Sequence, residues 1–363
     1  MVDYVILAAG AGTRLWPATD EEQKCMLRVM GKPVLEWILE SIFENAGKII
    51  VVVGEHKENI VNCFRESKFK EKIVFVEQKE RKGTGHALAQ AEAQLQGNFV
   101  VLMGDDFAEP RFFELITEKA VQGKFFGVGK QVEDKSRFGV LYAKEGKLVD
   151  LVEKPPEKGP GLANTNAFHL PKEFFSCLKS IPLSPRGEYE LTDAVKAFAK
   201  EKGLEIIEFN GYWNGLTYYW NYLDVNNYAL ENLLQPAVNG VIEENVVVKG
   251  RFFLGENAII KAGTRIEGNA WIGANATIGP NAFLRGNTVI EEEAIIGNAT
   301  EVKSSVVMRG SHAAHLSYIG DSVICENVNL GAGTKLANLR FDEKNVEIEL
   351  NGKKVDSGRR KLG

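Results

Sequence analysis

Near the N-terminus the hydrophobic run Ile6-Leu7-Ala8-Ala9 breaks into Gly10-Ala11-Gly12-Thr13-Arg14, and Lys24 follows one short loop later. Two glycines in a tight turn let backbone N–H groups approach an anionic ligand, and an arginine and a lysine add the charge that a polyphosphate requires. The turn reads as a nucleotide phosphate site. Two familiar glycine loops are excluded: the dinucleotide fingerprint needs a third glycine where this chain has Leu15, and the NTPase phosphate loop needs Gly-Lys-Ser/Thr, which is missing. A second chemical position is Asp105, which ends the apolar run Val100-Val101-Leu102-Met103-Gly104. A third is Gln78, whose amide can donate and accept at once.

These residues need elements to hold them. Up to about residue 235, strand-like runs (Tyr4 to Ala8, Ile49 to Val53, Ile73 to Val76, Phe99 to Met103) alternate with helical patterns from about Val34 to Glu44 and from His86. Such alternation predicts a mixed, mostly parallel sheet covered by helices, with ligands at the C-terminal ends of its strands. Gly10 to Arg14 and Gly104-Asp105 both fall at such ends. After about residue 240 an aliphatic residue recurs at every sixth position, from Ile242 through Ile260, Ile278 and Ile296 to Met308. A small residue such as Ala258, Thr264 or Ala270 follows four later. A period of six fits neither a helix nor an ordinary sheet; it fits a parallel β-helix of hexapeptide repeats. The period fails between Met308 and Ile324, within Arg309 to Tyr318, and function is to be sought there. The expected domains are 1–235 and 236–363.

Composition narrows the function classes. With 44 Lys and Arg against 49 Asp and Glu, the chain of 363 residues has a net charge of -5 and no basic run. That leaves no electrostatic footprint for nucleic acid or a membrane surface. Apolar runs are too short to span a bilayer, no signal sequence opens the chain, and four scattered cysteines show no ligand or disulfide spacing. A cytoplasmic location is expected. Cys63 and Cys177 read as buried or half-buried apolar residues, and Cys25 is the one beside the proposed site.

Taken together, Gly10, Gly12, Thr13, Arg14, Leu15, Pro17, Thr19, Lys24, Gly31, Lys32 and Pro33 fall in register with the signature that the sequence resembles, that of sugar-phosphate nucleotidylyltransferases. Gln23 and Cys25 stand where prolines usually flank the lysine. The resemblance implies an α/β Rossmann-like nucleotidyltransferase domain followed by a left-handed parallel β-helix. It also implies a Mg2+-dependent reaction of UTP (or dTTP) with a sugar 1-phosphate. Arg14 and Lys24 then act in catalysis, and Leu7, Ala8, Ala9, Gly10, Gly12, Thr13, Gln78, Gly83 and Thr84 bind the nucleotide. Gly83 lets the backbone approach the base. Gly139, Glu153, Lys154 and Asn164 bind the sugar phosphate, with Asn166 in place of a usual glycine. Asp105 and Asp224 hold the metal, and Asp106 is a weaker, solvent-facing candidate.

The second half, from His315-Leu316-Ser317-Tyr318 to Asn329-Leu330-Gly331-Ala332-Gly333-Thr334, is similar to the acetyltransferase domain of bifunctional N-acetylglucosamine-1-phosphate uridylyltransferase/glucosamine-1-phosphate N-acetyltransferases. In that resemblance His315 is the general base, Arg285, Lys303, Tyr318, Asn329 and Asn338 line a sugar site, and Ala332 meets acetyl-CoA. Val346 to Val355 around Asn351-Gly352 reads as a hairpin, and since the chain stops at Gly363 before further coils, acetyl transfer is expected to be weak or absent. The β-helix implies a homotrimer. Glucose 1-phosphate as substrate is the alternative within the same chemistry, and a catalytically silent regulatory subunit is the alternative of another class.

Overall fold

The computed structural model describes residues 1–20, 22–350 and 352–363. The chain forms two compact units, the first made of Met1–Gly12, Glu21–Leu27 and Val34–Gly215, the second of Thr13–Asp20, Arg28–Pro33 and Leu216–Gly363.

In the first unit a nine-stranded sheet runs in the order Ile73–Glu77, Ala46–Val53, Val2–Ala8, Phe99–Met103, Gly161–Leu170, Phe126–Val132, Glu205–Glu208, Lys147–Glu153, Gly139–Lys144. The first four are mutually parallel, and Gly161–Leu170 lies antiparallel to Phe99–Met103, so the sheet is mixed as the alternating pattern predicts. Central strands buried on both faces must be apolar throughout. Tyr4, Val5, Ile6, Ile49 to Val52 and Phe99 to Val101 are indeed shut off from solvent. The helix predicted from Val34 ends at Ile42 and tightens into a single 3-10 turn, Phe43–Asn45. Cys63 is exposed rather than buried. On the helix Lys57–Phe64 the core contacts belong to Ile60 and Phe64, four residues apart, and Cys63 falls at the side of that stripe, in solvent.

The second unit carries the left-handed parallel β-helix. Its short strands stack in three parallel sheets of six, five and five strands. Coils advance by 18 residues at first, Ile260 to Ile278 to Ile296, with Ala258, Ala276 and Ala294 filling the corners inside. The break in the repeat lies earlier than the sequence placed it. Ile290 pairs with Val307, not Met308, and from there Ile296 pairs with Ala313 and Val302 with Ile319, each 17 residues on. One residue is therefore lost between Val302 and Val307, and the segment around His315 keeps regular register. Two adjacent aliphatic residues, Val307 and Met308, hid the shift. The strands Glu347–Leu350 and Lys353–Asp356 form the expected hairpin; of its turn, Asn351 lies outside the described residues. The tail then returns, Leu362 and Gly363 donating backbone hydrogen bonds to Asn338 and Asp321.

Candidate active site

At the C-terminal ends of Val2–Ala8 and Phe99–Met103, a cavity of about 310 Å³ opens between Leu7, Ala8, Ala9 and Gly10 on one side and Lys24, Gln78, Gly83, Thr84 and Asp105 on others. The parallel pairing of Leu7 with Met103 explains the convergence, because both chains leave the sheet on the same edge. Cys25, Arg81, Met103 and Glu188 complete the lining. Lys24 begins a one-turn 3-10 helix, Lys24–Met26, and its ammonium forms an ion pair with Asp105 Oδ2. No flanking proline is needed to present it. Cys25 is buried at 2% exposure, Gln23 at 3%, and the Gln23 amide donates to the Glu55 carbonyl. Burial, with the Asp105 charge beside it, pushes the Cys25 thiol far up, so it packs as a neutral apolar group.

Asp106 is half-buried. Its strand, Asp106–Ala108, pairs with Trp213–Gly215, and the Trp213 indole donates to Asp106 Oδ2 at 2.9 Å. Burial, and then the neighbouring Asp105 charge, raise its carboxyl well above the ordinary carboxylate range. The cation-facing carboxylate of the pair is Asp105.

At the other end of the cavity Gln78 is 6% exposed and its Nε2 donates to Gly83 O at 3.1 Å. Gly83 has a reason to be glycine that has nothing to do with a base: its φ is +96°, and a Cβ there would stand 2.6 Å from the Tyr189 carbonyl. Thr84 Oγ1 accepts from Leu191 N at 3.0 Å, tying the segment to the helix Leu191–Lys202.

The residues assigned to the sugar phosphate form two local groups, outside the lining of that cavity. Gly139 and Glu153 are opposite one another in an antiparallel pair, and the Glu153 carboxylate lies against Gly139 where a Cβ would come within 2.8 Å of Oε1. Burial raises the Glu153 carboxyl, with Arg186 acting against it. Lys154 follows in a left-handed conformation, its N–H donating to Phe138 O at 2.9 Å. Asn164 is 3% exposed, donating to Asn166 Oδ1 at 2.8 Å and accepting from Asn166 N at 2.9 Å. Asn166 adopts φ +55°, a conformation that asparagine tolerates next best to glycine, so the replacement keeps the backbone.

Arg14, Thr13 and Asp224 belong to the second unit. There the turn Thr13–Asp20 is fixed by Tyr219, whose hydroxyl donates to Leu15 O at 2.7 Å and accepts from Ala18 N at 3.2 Å; Cys325 Sγ lies 3.5 Å from it. Arg14 stands 5.7 Å above the Tyr218 ring. Asp224, on the helix Tyr219–Asn232, is ion-paired with Arg359. Burial raises its carboxyl and Arg359 opposes the rise.

Around the β-helix the second set of residues gathers as well. Arg285, Lys303 and Gly320 stack on successive coils of one sheet. Lys303 Nζ pairs with Asp321 Oδ2 at 2.6 Å, and Asn338 Nδ2 donates both to that oxygen at 2.5 Å and to the Tyr318 hydroxyl at 3.3 Å. Arg285 is held by Glu301 at 2.6 Å. Asp321 was not among the predicted site residues; it follows Gly320, the residue stacked on Lys303 one coil on, and its carboxylate reaches back to the Lys303 ammonium. His315 is exposed at the end of His312–His315, and the loop carrying Ala332 reaches it through Gly333 N to His315 O at 3.4 Å. Asn329 bridges to His312 rather than to His315.

Comparison with known proteins now decides the family. The model of the nucleotidyl transferase family matches residues 3–232. The chain belongs to the nucleotidyl transferase family. The GMPPB C-terminal domain model matches residues 266–355 of this nucleotidyltransferase. It is 40% identical over 363 residues to the bifunctional sugar-1-phosphate nucleotidylyltransferase/acetyltransferase of Sulfurisphaera tokodaii, covering 99% of this chain and 88% of that one. It is 39% identical to the bifunctional protein GlmU of Methanocaldococcus jannaschii, covering 100% of this chain and 86% of the relative. Among solved structures it resembles a UDP-glucose pyrophosphorylase complexed with UDP-glucose, with a TM-score of 0.55, 25% identity, and coverage of 64% of this chain and 99% of that one. No helix of the described residues is long and apolar enough to cross a membrane.

Proposed function

We propose that this nucleotidyltransferase joins UMP from UTP to a sugar 1-phosphate, N-acetylglucosamine 1-phosphate foremost, and releases pyrophosphate. The observation that carries the reading is one cavity that sets the Lys24–Asp105 pair beside the Ala9–Gly10 turn and Gln78. An oxygen of the sugar phosphate attacks the α-phosphorus, the bond to the β-phosphate breaks, and pyrophosphate departs. Such transfers depend on positioning and charge, with no covalent nucleophile. Lys24 supplies a fixed positive charge, and Arg14, two residues along from Gly12, is proposed as a second. Gln78 meets the base, and Glu153, Lys154 and Asn164 orient the sugar phosphate.

For Mg2+ the donor chemistry fits. Among the described residues no three His, Cys, Asp or Glu side chains gather for a metal, but Mg2+ commonly accepts one or two carboxylates together with substrate phosphates and water. Asp105 is the carboxylate proposed to hold it, and the ion would neutralise charge on the reacting phosphates. Asp224, engaged by Arg359, is proposed as an anchor of the C-terminal segment instead.

For the second unit we propose a sugar-phosphate site on the β-helix built from Arg285, Lys303, Tyr318 and Asn338, with His315 as its base and acetyl transfer from acetyl-CoA weak or absent in this chain. A homotrimer assembled through the β-helix and a cytoplasmic location accompany the reading. Glucose 1-phosphate is the competing acceptor, favoured by the likeness to a structure holding UDP-glucose. A pyrophosphate-release screen of UTP, dTTP, CTP and ATP against the 1-phosphates of glucose, N-acetylglucosamine and mannose tests the proposal. Release with UTP and an amino-sugar phosphate supports it, and release with no pair favours a silent regulatory subunit.

A further inference from the structure

We propose that His86 determines which nucleobases this site accepts, by taking up the second hydrogen of the Gln78 amide. The inference rests on the nucleotide-binding reading of the cavity. Gln78 is almost fully enclosed and lines that cavity, so few of its hydrogen-bonding directions remain open to a ligand. Its Nε2 stands 3.1 Å from Gly83 O and 3.0 Å from His86 Nδ1.

The Gly83 carbonyl can only accept, which forces the NH2 end of Gln78 toward it; a flipped amide would set two acceptors face to face. With that end fixed, its second hydrogen points at His86 Nδ1, which must then accept. The proton of the neutral imidazole belongs on Nε2. The Gln90 amide nitrogen lies farther off, 3.3 Å from Nε2, and is already committed to the His86 carbonyl at 3.0 Å.

Both hydrogens of the Gln78 amide are thereby consumed, and only Oε1 is left to meet a ligand. A base that fits must offer an N–H at that point. The imide of uracil or thymine does, whereas cytosine in the same position presents its N3 lone pair to Oε1. The exclusion of cytosine then originates in a histidine that touches no substrate. His86 is a positioning residue, and it does not separate UTP from dTTP, whose edges are alike.

The test is equilibrium binding of UTP and of CTP to the full chain, read beside turnover. Wild-type protein is expected to prefer UTP by about a hundredfold or more, as sites that leave a buried polar group unmatched do. His86→Phe keeps a ring but removes the acceptor, releasing the second Gln78 hydrogen to donate to a ligand lone pair such as cytosine N3, and the preference should drop about tenfold, the equivalent of one hydrogen bond. His86→Asn, which places an acceptor near the Nδ1 position, should restore most of it. His86→Leu serves if the Phe variant does not fold.

An unchanged preference in the Phe and Leu variants overturns the inference, and so does equal loss in Phe and Asn, which would reveal a purely steric role. Equal binding of UTP and CTP by wild type overturns it as well. Selective binding without pyrophosphate release from any sugar phosphate leaves His86 its role and removes the transferase reading instead.

Discussion

Lys24→Ala is the substitution with the clearest expected consequence. Lys24 Nζ and Asp105 Oδ2 form an ion pair whose side chains are 21% and 19% exposed, so the charge is fixed in a partly desolvated cavity. Two unit charges at about 4 Å attract by about 4 kcal/mol at an effective dielectric of 20. Competition from solvent and the entropy of the side chains reduce the net loss of stability to about 1–2 kcal/mol. Catalysis should suffer more than stability. Removing one preorganised charge aimed at a developing anion costs roughly 10²–10³ in kcat. Steady-state pyrophosphate release at saturating nucleotide and sugar phosphate measures it, with thermal unfolding alongside. Because Lys24 and a divalent cation compete for the same carboxylate, Mn2+ should also bind the variant more tightly. Turnover within threefold of wild type would refute the reasoning, as would weaker Mn2+ binding.

Other expectations follow from the remaining contacts. Asp105→Asn should abolish most Mn2+ binding and turnover. Asp224→Asn should instead lower stability by about 1–2 kcal/mol by stranding Arg359, and the two are separated by Mn2+ titration and denaturant unfolding. Tyr219→Phe removes both hydrogen bonds to the Leu15–Ala18 backbone and should lower stability by about 1–2 kcal/mol, measured by denaturant unfolding. Glu291 is 2% exposed, and burial together with the Glu292 charge pushes its carboxyl up to about 8 from the ordinary 4.5. The folded state thus holds a proton that the unfolded state has lost between those values, so stability falls as pH rises from about 4.5 to 8. Glu291→Gln should flatten that slope and gain up to about 5 kcal/mol at pH 9, measured by unfolding at pH 5 and pH 9.

What could be read from the residues is uneven for physical reasons. Buried parallel strands are apolar throughout, and coil corners admit only small side chains, so the two architectures stood out in residues such as Ile49 to Val53 and Ala258 to Ala294. The one-residue contraction before Val307 did not, because both Val307 and Met308 satisfy the apolar pattern. Of the cavity residues, Gly10, Lys24, Gln78 and Asp105 were legible from residue type, whereas Leu7, Ala8 and Ala9 were named only through the family resemblance. The internal partners of site residues were not legible. The Trp213 indole that captures Asp106, the Asp321 carboxylate between Lys303 and Asn338, and the Arg359 that meets Asp224 are all distant in sequence from what they touch. Gly83 was legible as a required glycine, but the reason is the Tyr189 carbonyl beside it.

Pyrophosphate release from UTP with N-acetylglucosamine 1-phosphate and Mg2+, compared in wild type and Asp105→Asn, tests the central claim most directly. The account predicts release by wild type that falls at least about a hundredfold in the variant. Release that is absent with every sugar 1-phosphate, or equal in the two proteins, would contradict it.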